Sequence, residues 1–363
     1  MLPYPAHPYP ARCAASRGHL SAGDSPRDSY EKAGVSIDRG ERAVELMKES
    51  VAATHGPRVV SGAGGFAGLY SLAGYTDPVL ASTIDGVGTK VMVARETGRY
   101  ASIGTDIANH CMNDVLATGA RPVMFLDYVA SGRLDPEAVA EVVRGAADAC
   151  GRHGVALMGG ETAEMPGLYG DGDFDVVGCC IGACERTEAL DGSGVRPGDE
   201  IVGLAASGLH TNGYTLARKV VADAGLSWKD LPEALGGRTL GEEYLEPHRA
   251  YVREVETLRG TVEVRALAHV TGGGIQGNLP RVLGGLGARI QTGSWEEPGV
   301  FGMIRSLGRV PEAEMRRVFN LGVGMCAVVP QGEAGRAVEA LRSSGCRAWR
   351  IGEVLADAGV EFV

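Results

Sequence analysis

The stretch Pro78-Val-Leu-Ala-Ser-Thr-Ile-Asp-Gly-Val-Gly-Thr-Lys90 reads as a β-strand that ends on a carboxylate and turns through glycines into a helix. Apolar and β-branched residues over 78–84 favour extended backbone, and Gly86 and Gly88 let the chain reverse. A carboxylate at a strand end, beside free backbone N–H groups, can hold a magnesium ion and the phosphates it bridges. Asp85, Gly86, Gly88 and Thr89 are therefore candidate nucleotide contacts, with Lys90 as a mobile cation beside them. A solvated strand-to-helix turn is the plainer alternative, because the spacing is not that of a Walker A loop.

Outward from this stretch, helical periods over 39–53 and 136–153 alternate with short apolar runs such as Pro122-Val-Met-Phe-Leu-Asp-Tyr128, the pattern of an α/β (α+β) protein. A chain of 363 residues exceeds one ordinary core, so two domains are expected. The turn-rich Asp191-Gly-Ser-Gly-Val-Arg-Pro-Gly-Asp199 separates strand signals over 173–185 and 200–205, which puts the boundary near 188 and the domains at 29–187 and 188–363. Further strands are expected over 324–329 and near Trp349, with a helix over 332–343 between them. Residues 1–28 show neither an apolar h-region nor a helical period and are expected to be a disordered extension. A transit peptide is the alternative there, opposed by the prolines.

No apolar run is long enough to span a bilayer, and a net charge of −10 argues against a broad nucleic-acid face. The eight cysteines have no paired C-x-x-C spacing, so a reducing, cytoplasmic setting and a small-molecule ligand are expected. The 55 glycines cluster in loops rather than recurring periodically, as backbone that must approach phosphate does.

Five more clusters carry chemistry. On a helix over 105–117, Asp106, Asn109, His110, Asn113 and Asp114 share one face with no lysine or arginine, so that face should meet a cation, magnesium rather than zinc. In Leu157-Met-Gly-Gly-Glu-Thr-Ala-Glu-Met-Pro-Gly167 a strand breaks at glycines and delivers Glu161 and Glu164, of which Glu161 is the better ligand candidate. Gly64 and Gly65 sit in a glycine loop that could close over a polyphosphate. In the second half, Ser207, His210 and Asn212 lie where a strand ends and a helix opens near 211, and His269 leads into Thr271, Gly272, Gly273 and Gly274, a cradle suited to a phosphomonoester. A buried histidine and plain capping turns are the bland readings of both.

Together, Tyr30-Glu-Lys-Ala-Gly-Val-Ser-Ile-Asp38, the Asp85 segment, Ile103-Gly-Thr-Asp106, Met112-Asn-Asp114, Phe125-Leu-Asp-Tyr128, the Glu161 segment, Ser207-Gly-Leu-His-Thr-Asn-Gly-Tyr214, Glu246-Pro-His-Arg249, His269-Val-Thr-Gly-Gly-Gly274 and Phe319-Asn-Leu-Gly-Val-Gly-Met325 resemble the aminoimidazole ribonucleotide synthetases, the phosphoribosylformylglycinamidine cyclo-ligases of purine biosynthesis. The likeness runs through nearly everything after residue 29. His248 stands where that family usually has threonine, and Ser-Thr-Ile before Asp85 replaces a serine-rich form.

The resemblance implies a two-domain fold, each domain a mixed sheet with flanking helices, and a homodimer paired through first-domain strands. It implies ATP-dependent closure of formylglycinamidine ribonucleotide to aminoimidazole ribonucleotide through an imidoyl phosphate. Asp85, Asp114 and Glu161 become magnesium ligands with Asp106 as a fourth, and potassium is a further candidate ion. Asp106 and Asn113 join the nucleotide contacts, and His269, His210 and Lys90 are the candidate catalytic groups. A kinase related to thiamine monophosphate kinase is the competing enzyme, expected to lack the second-domain His-Thr-Asn-Gly and Thr-Gly-Gly-Gly pair. Selenophosphate synthetase would need a reactive Cys near a lysine at the N-terminus, which Cys13 lacks. A dead nucleotide-binding partner would have lost the acids, and none is lost.

Overall fold

The computed structural model describes residues 26–62 and 64–363. The expectation for residues 1–28 falls mostly outside them, although the chain is already helical from Pro26. The first half contains β1 (Val59–Ser61), β2 (Leu69–Tyr70), β3 (Pro78–Gly86), β4 (Arg121–Ser131), β5 (Ala156–Glu164) and β6 (Phe174–Glu185). Its helices are α1 (Pro26–Lys32), α2 (Ile37–Ala52), α3 (Lys90–Thr97), α4 (Ala101–Ala117) and α5 (Pro136–His153). The second half contains β7 (Glu200–Ala205), β8 (Ala266–His269), β9 (Gly287–Ile290), β10 (Val323–Val329), β11 (Ala348–Leu355) and β12 (Gly359–Phe362). Its helices are α6 (Tyr214–Asp223), α7 (Leu240–Tyr244), α8 (Val252–Thr261), α9 (Gly274–Asn278), α10 (Gly299–Gly308), α11 (Glu312–Val318) and α12 (Ala334–Ser343).

Both main sheets are mixed, as the resemblance implied. The first runs β3-β6-β4-β5, with only β4 and β5 parallel, and the second runs β12-β9-β11-β7-β10-β8, with only β12 and β9 parallel. β12 lies beyond the last strand expected near Trp349. Local signals set the helix ends: Asp135 accepts from the Glu137 and Ala138 N–H groups at the start of α5, Pro136 follows it, and Gly154 closes the helix in the left-handed region.

α4 and α5 lie on one face of the first sheet and touch each other backbone to backbone. A Cβ on Gly104 would stand 1.7 Å from the Val142 carbonyl oxygen, and one on Gly145 would stand 2.0 Å from that of Ala101. Gly104→Ala must therefore push the helices apart, and the expected cost is about 3 kcal/mol. Gly151→Ala, with open space around it on the same α5, is expected to be near neutral. Thermal unfolding of the two variants checks the difference.

Of the 17 residues of α4, 12 are buried, including Asp106, Asn109, His110 and Asn113 on its polar side. The sheet and α5 cover the apolar side, and the second half of the chain covers the polar one. On the other face of the first sheet, among the described residues, Leu80 and Ile84 of the edge strand β3, and Leu126 of β4, are exposed.

Candidate active site

The first half contributes two carboxylates that converge on one imidazole. Asp85, at the end of β3, has its Oδ2 2.9 Å from His110 Nε2 on α4, while its Oδ1 accepts from the Gly86 N–H at 2.7 Å. Asp114, one turn further along α4, has Oδ2 3.7 Å from the same Nε2 and accepts from Thr83 Oγ1 at 3.2 Å. Burial works against both charges, but the imidazoles and donors around them hold both carboxyls below the usual carboxylate range.

The second half meets them with a file of buried imidazoles. His269, at the end of β8, donates from Nδ1 to Asp114 Oδ1 at 2.8 Å, and its Nε2 lies 3.0 Å from His248 Nε2. His248 Nδ1 is 3.3 Å from Thr211 Oγ1, which is 2.8 Å from His110 Nδ1. An unbroken chain thus runs from Asp114 through His269, His248 and Thr211 to His110, which faces Asp85. Counting protons fixes its state. If each of His110, Thr211, His248 and His269 gives its one proton toward Asp114, His110 Nε2 is left as a lone pair facing an ionised Asp85, so the chain needs one proton more.

That surplus has two seats, one at each end of the chain: His110, where Asp85 and Asp114 favour it, and His269, toward which the Asn113 Nδ2 donor 3.2 Å from His248 Nε2 turns the order of the bonds. Burial opposes the charge on His110, but Asp85 and Asp114 raise its pKa above the ordinary histidine value. His269 is lowered by burial despite Asp114, and His210 and His248 are pushed well down by burial and by neighbouring cations. Three histidines depressed in the fold contribute stability above the ordinary value that is lost as pH falls through their folded pKa values. His110, being raised, contributes stability that is lost as pH rises through its own. His153, also lowered by burial, adds to the loss on acidification, while Asp106 and Asp127, raised by burial to about 6 and about 7, offset part of it; the expected balance is a modest net loss of stability below about pH 6.5, checked by denaturant unfolding across pH 5–7.5.

Nitrogens of His210, His248 and His269 lie within 4.8 Å of one another. The His210 and His248 rings are stacked, however, with centroids 3.9 Å apart and planes at 21°, so their in-plane lone pairs cannot point at a common ion. The donor set that suits a hard cation is the half-exposed Asp85 with Asp114, both anionic oxygen ligands.

Several expectations are corrected here. Lys90 is not a mobile cation: it is fully buried, and Nζ reaches Asp106 Oδ1 at 2.9 Å, the His210 carbonyl at 3.1 Å and the Glu246 carbonyl at 2.8 Å. Asp106 is not a metal ligand, since it is equally buried against Lys90 and accepts from the His248 N–H at 2.7 Å. Burial raises its carboxyl to about 6 although Lys90 opposes the shift. Asn113 does not face a nucleotide, because its Oδ1 accepts from the Tyr251 N–H and its Nδ2 donates to the Arg249 carbonyl. With Asn109 donating to the His248 carbonyl, the polar side of α4 binds the irregular backbone around Glu246-Pro-His-Arg249 rather than a cation. The counter-ion missing from that face was supplied by Lys90, 16 residues upstream of Asp106.

Glu161 does not join Asp85 and Asp114 within the chain. It pairs with Tyr128, in the cross-strand row of Val177 and Gly86, while Asp85 lies in the next row, opposite Gly178 and Asp127. Three strand spacings separate β3 from β5, roughly 14 Å. Glu164 is spent locally, accepting from the Ser36 and Leu134 N–H groups and pairing with Arg39. Gly64 and Gly65 lie in an exposed loop after β1, and Thr89 Oγ1 meets Thr215 Oγ1 at 3.0 Å across the two halves.

On the second-half side, Ser207 donates to the Pro247 carbonyl at 2.6 Å and its N–H donates to His210 Nε2. His210 is itself in the left-handed region, φ 60°, so this loop is strained where it meets Lys90. Thr271 bonds Asn278, Gly274 is buried, and Gly272 and Gly273 line a cleft with Gly213, with Asn212 Oδ1 beside Gly272. One site residue was missed: His248 was noted only as a departure from a pattern, yet it links the two ends of the imidazole file. Asp127, in Phe125-Leu-Asp-Tyr128, lies two strands from Asp85 in the same cross-strand row, and burial pushes its carboxyl up to about 7.

Residues 66–184 match the family model of the AIR synthase related protein N-terminal domain, and residues 196–363 match its C-terminal domain. The chain is 50% identical over 339 residues to a phosphoribosylformylglycinamidine cyclo-ligase of Sorangium cellulosum, covering 92% of this chain and 97% of that protein. It is 44% identical to one of Picosynechococcus, covering 91% and 98%. Among solved structures, thiamine-monophosphate kinase of Stenotrophomonas maltophilia shares the fold at a TM-score of 0.63 and 17% identity, over 87% of this chain and 95% of that one. The hydrogenase maturation protein HypE in complex with ATP does so at 0.62 and 20%, over 87% and 86%. Identity at this level along the whole length of its relatives, on a fold shared with an ATP-bound neighbour, means that the chain belongs to the phosphoribosylformylglycinamidine cyclo-ligase family.

Proposed function

We propose that this chain closes formylglycinamidine ribonucleotide to aminoimidazole ribonucleotide, with ATP converted to ADP and phosphate. An amide oxygen is a poor leaving group. Transfer of the γ-phosphoryl group makes it an imidoyl phosphate, the amidine nitrogen attacks that carbon, and phosphate departs. Asp85 and Asp114 would hold magnesium, which when bound offsets the charge of the transferring phosphoryl group. Residues 29–187 would hold the nucleotide and residues 188–363 the ribonucleotide.

The observation that carries this reading is the imidazole file that ties Asp114 to residues of the second domain. Ring closure releases a proton from nitrogen, and the file, which already holds one surplus proton between His110 and His269, can take that proton in at one end as it gives one up to the carboxylate at the other. His269, hydrogen-bonded to Asp114, is the group that moves it. His210 supports His248 by stacking, its Nε2 being occupied by the Ser207 N–H. The uncovered apolar face of β3 and β4, with Leu80, Ile84 and Leu126, suits burial against the same face of a second copy. Among the described residues no helix is long and apolar enough to cross a membrane, which accords with a cytoplasmic enzyme.

Purified protein incubated with formylglycinamidine ribonucleotide, ATP and magnesium, with and without potassium, is expected to form the aminoimidazole product and to scatter light as a dimer. ATP binding without product would overturn the ligase reading, and a monomer would overturn the pairing.

A further inference from the structure

We infer that Arg317 is the cation that seats the 5′-phosphate of the ribonucleotide substrate, in the cleft floored by Gly213, Gly272 and Gly273; this rests on the cyclo-ligase reading above. Lys90, the cation expected at phosphate, has every donor engaged in the interior. A phosphomonoester bound beside the glycine triplet therefore needs its charge met elsewhere. The cleft has a volume of about 750 Å³, the size of a small-molecule site, and Arg317 lines it. Arg317 is exposed and makes no hydrogen bond or ion pair among the described residues, whereas Arg316 next to it bonds Glu312 and lies over the Phe362 ring.

Glycine sets its position. A Cβ on Gly274 would stand 1.9 Å from the Arg316 carbonyl oxygen, and one on Gly213 would stand 2.3 Å from the Phe319 ring and 2.9 Å from Val318. The end of α11 is thus wedged between the two glycine turns, which places Arg317 on the lining of the cleft. Gly213 also opens the ten-residue α6 with no side-chain cap, leaving N–H groups of that turn for an anion. A guanidinium presents parallel N–H donors that match phosphate oxygens in pairs. Glu314 is the carboxylate of this lining; it repels phosphate but can accept from sugar hydroxyls, which orients the ribonucleotide with its phosphate at the glycine end.

Phosphate in this cleft could come from the ribonucleotide or from ATP, and steady-state kinetics of Arg317→Ala and Arg317→Lys separate them. Arg317→Ala is expected to raise KM for formylglycinamidine ribonucleotide about 10- to 100-fold, with kcat within about threefold and KM for ATP unchanged. Arg317→Lys should recover part of the loss. A rise in KM for ATP instead, or no change in either KM, overturns the assignment. Calorimetric titration with ribose 5-phosphate provides a readout that does not need turnover: the unaltered chain should bind it and Arg317→Ala should not. If the unaltered chain makes no aminoimidazole product, the cyclo-ligase reading fails, and the titration still decides the phosphate seat. Should Arg317→Ala fail to fold, equal ribose 5-phosphate affinity for Arg317→Gln and the unaltered chain would overturn the assignment.

Discussion

Lys90→Met is expected to lower stability by about 3–5 kcal/mol, the cost of leaving a buried charge without its partner. Lys90 and Asp106 are both fully buried, 2.8 Å apart at closest, and the lysine also holds carbonyls of His210 and Glu246 from the second half of the chain. Removing the ammonium strands Asp106 and two carbonyls together. Asp106, already raised to about 6, would take up a proton near neutrality and recover part of the loss. The double variant Lys90→Met, Asp106→Leu should therefore be more stable than Lys90→Met alone, because no buried charge remains to be stranded. Denaturant unfolding of the two variants decides it. Unchanged stability with a raised KM for ATP would return Lys90 to the nucleotide site and remove it from the domain junction.

Asp114→Asn is expected to cut turnover at least about 100-fold while leaving the unfolding midpoint nearly unchanged. Asparagine keeps the shape, so its carbonyl can still accept from His269 Nδ1 and the packing around α4 survives. The charge is lost. It is that charge, with Asp85, which holds the surplus proton in the imidazole file and which would balance the charge of a bound magnesium ion. Near-normal turnover would remove Asp114 from the reacting centre. A large fall in stability with proportionate loss of folded protein would make it a structural residue instead.

The sequence alone determined the alternation of strands and helices, because side-chain period and turn residues act over a few neighbours. The strand over 78–86, the start of α5 at Pro136 and the glycine-broken strand at Glu161 all follow from such local signals. It also determined which segments carry chemistry: Asp85, His110, Asp114, His210 and His269 were all singled out, and all but the strained His210 belong to one file. What it could not determine is which partner each polar group finds. The polar side of α4 read as facing a cation because its neutralising lysine lies on another helix and its amides serve backbone more than 130 residues away. Asp106 and Lys90, singled out as site residues, became buried structure, while His248, remarked only as a departure from threonine, came to stand in the imidazole file. Hydrogen-bond satisfaction in a buried junction is a condition on the whole assembled surface, so only the tertiary structure could say which charges are spent on holding the domains together and which remain free to meet a substrate.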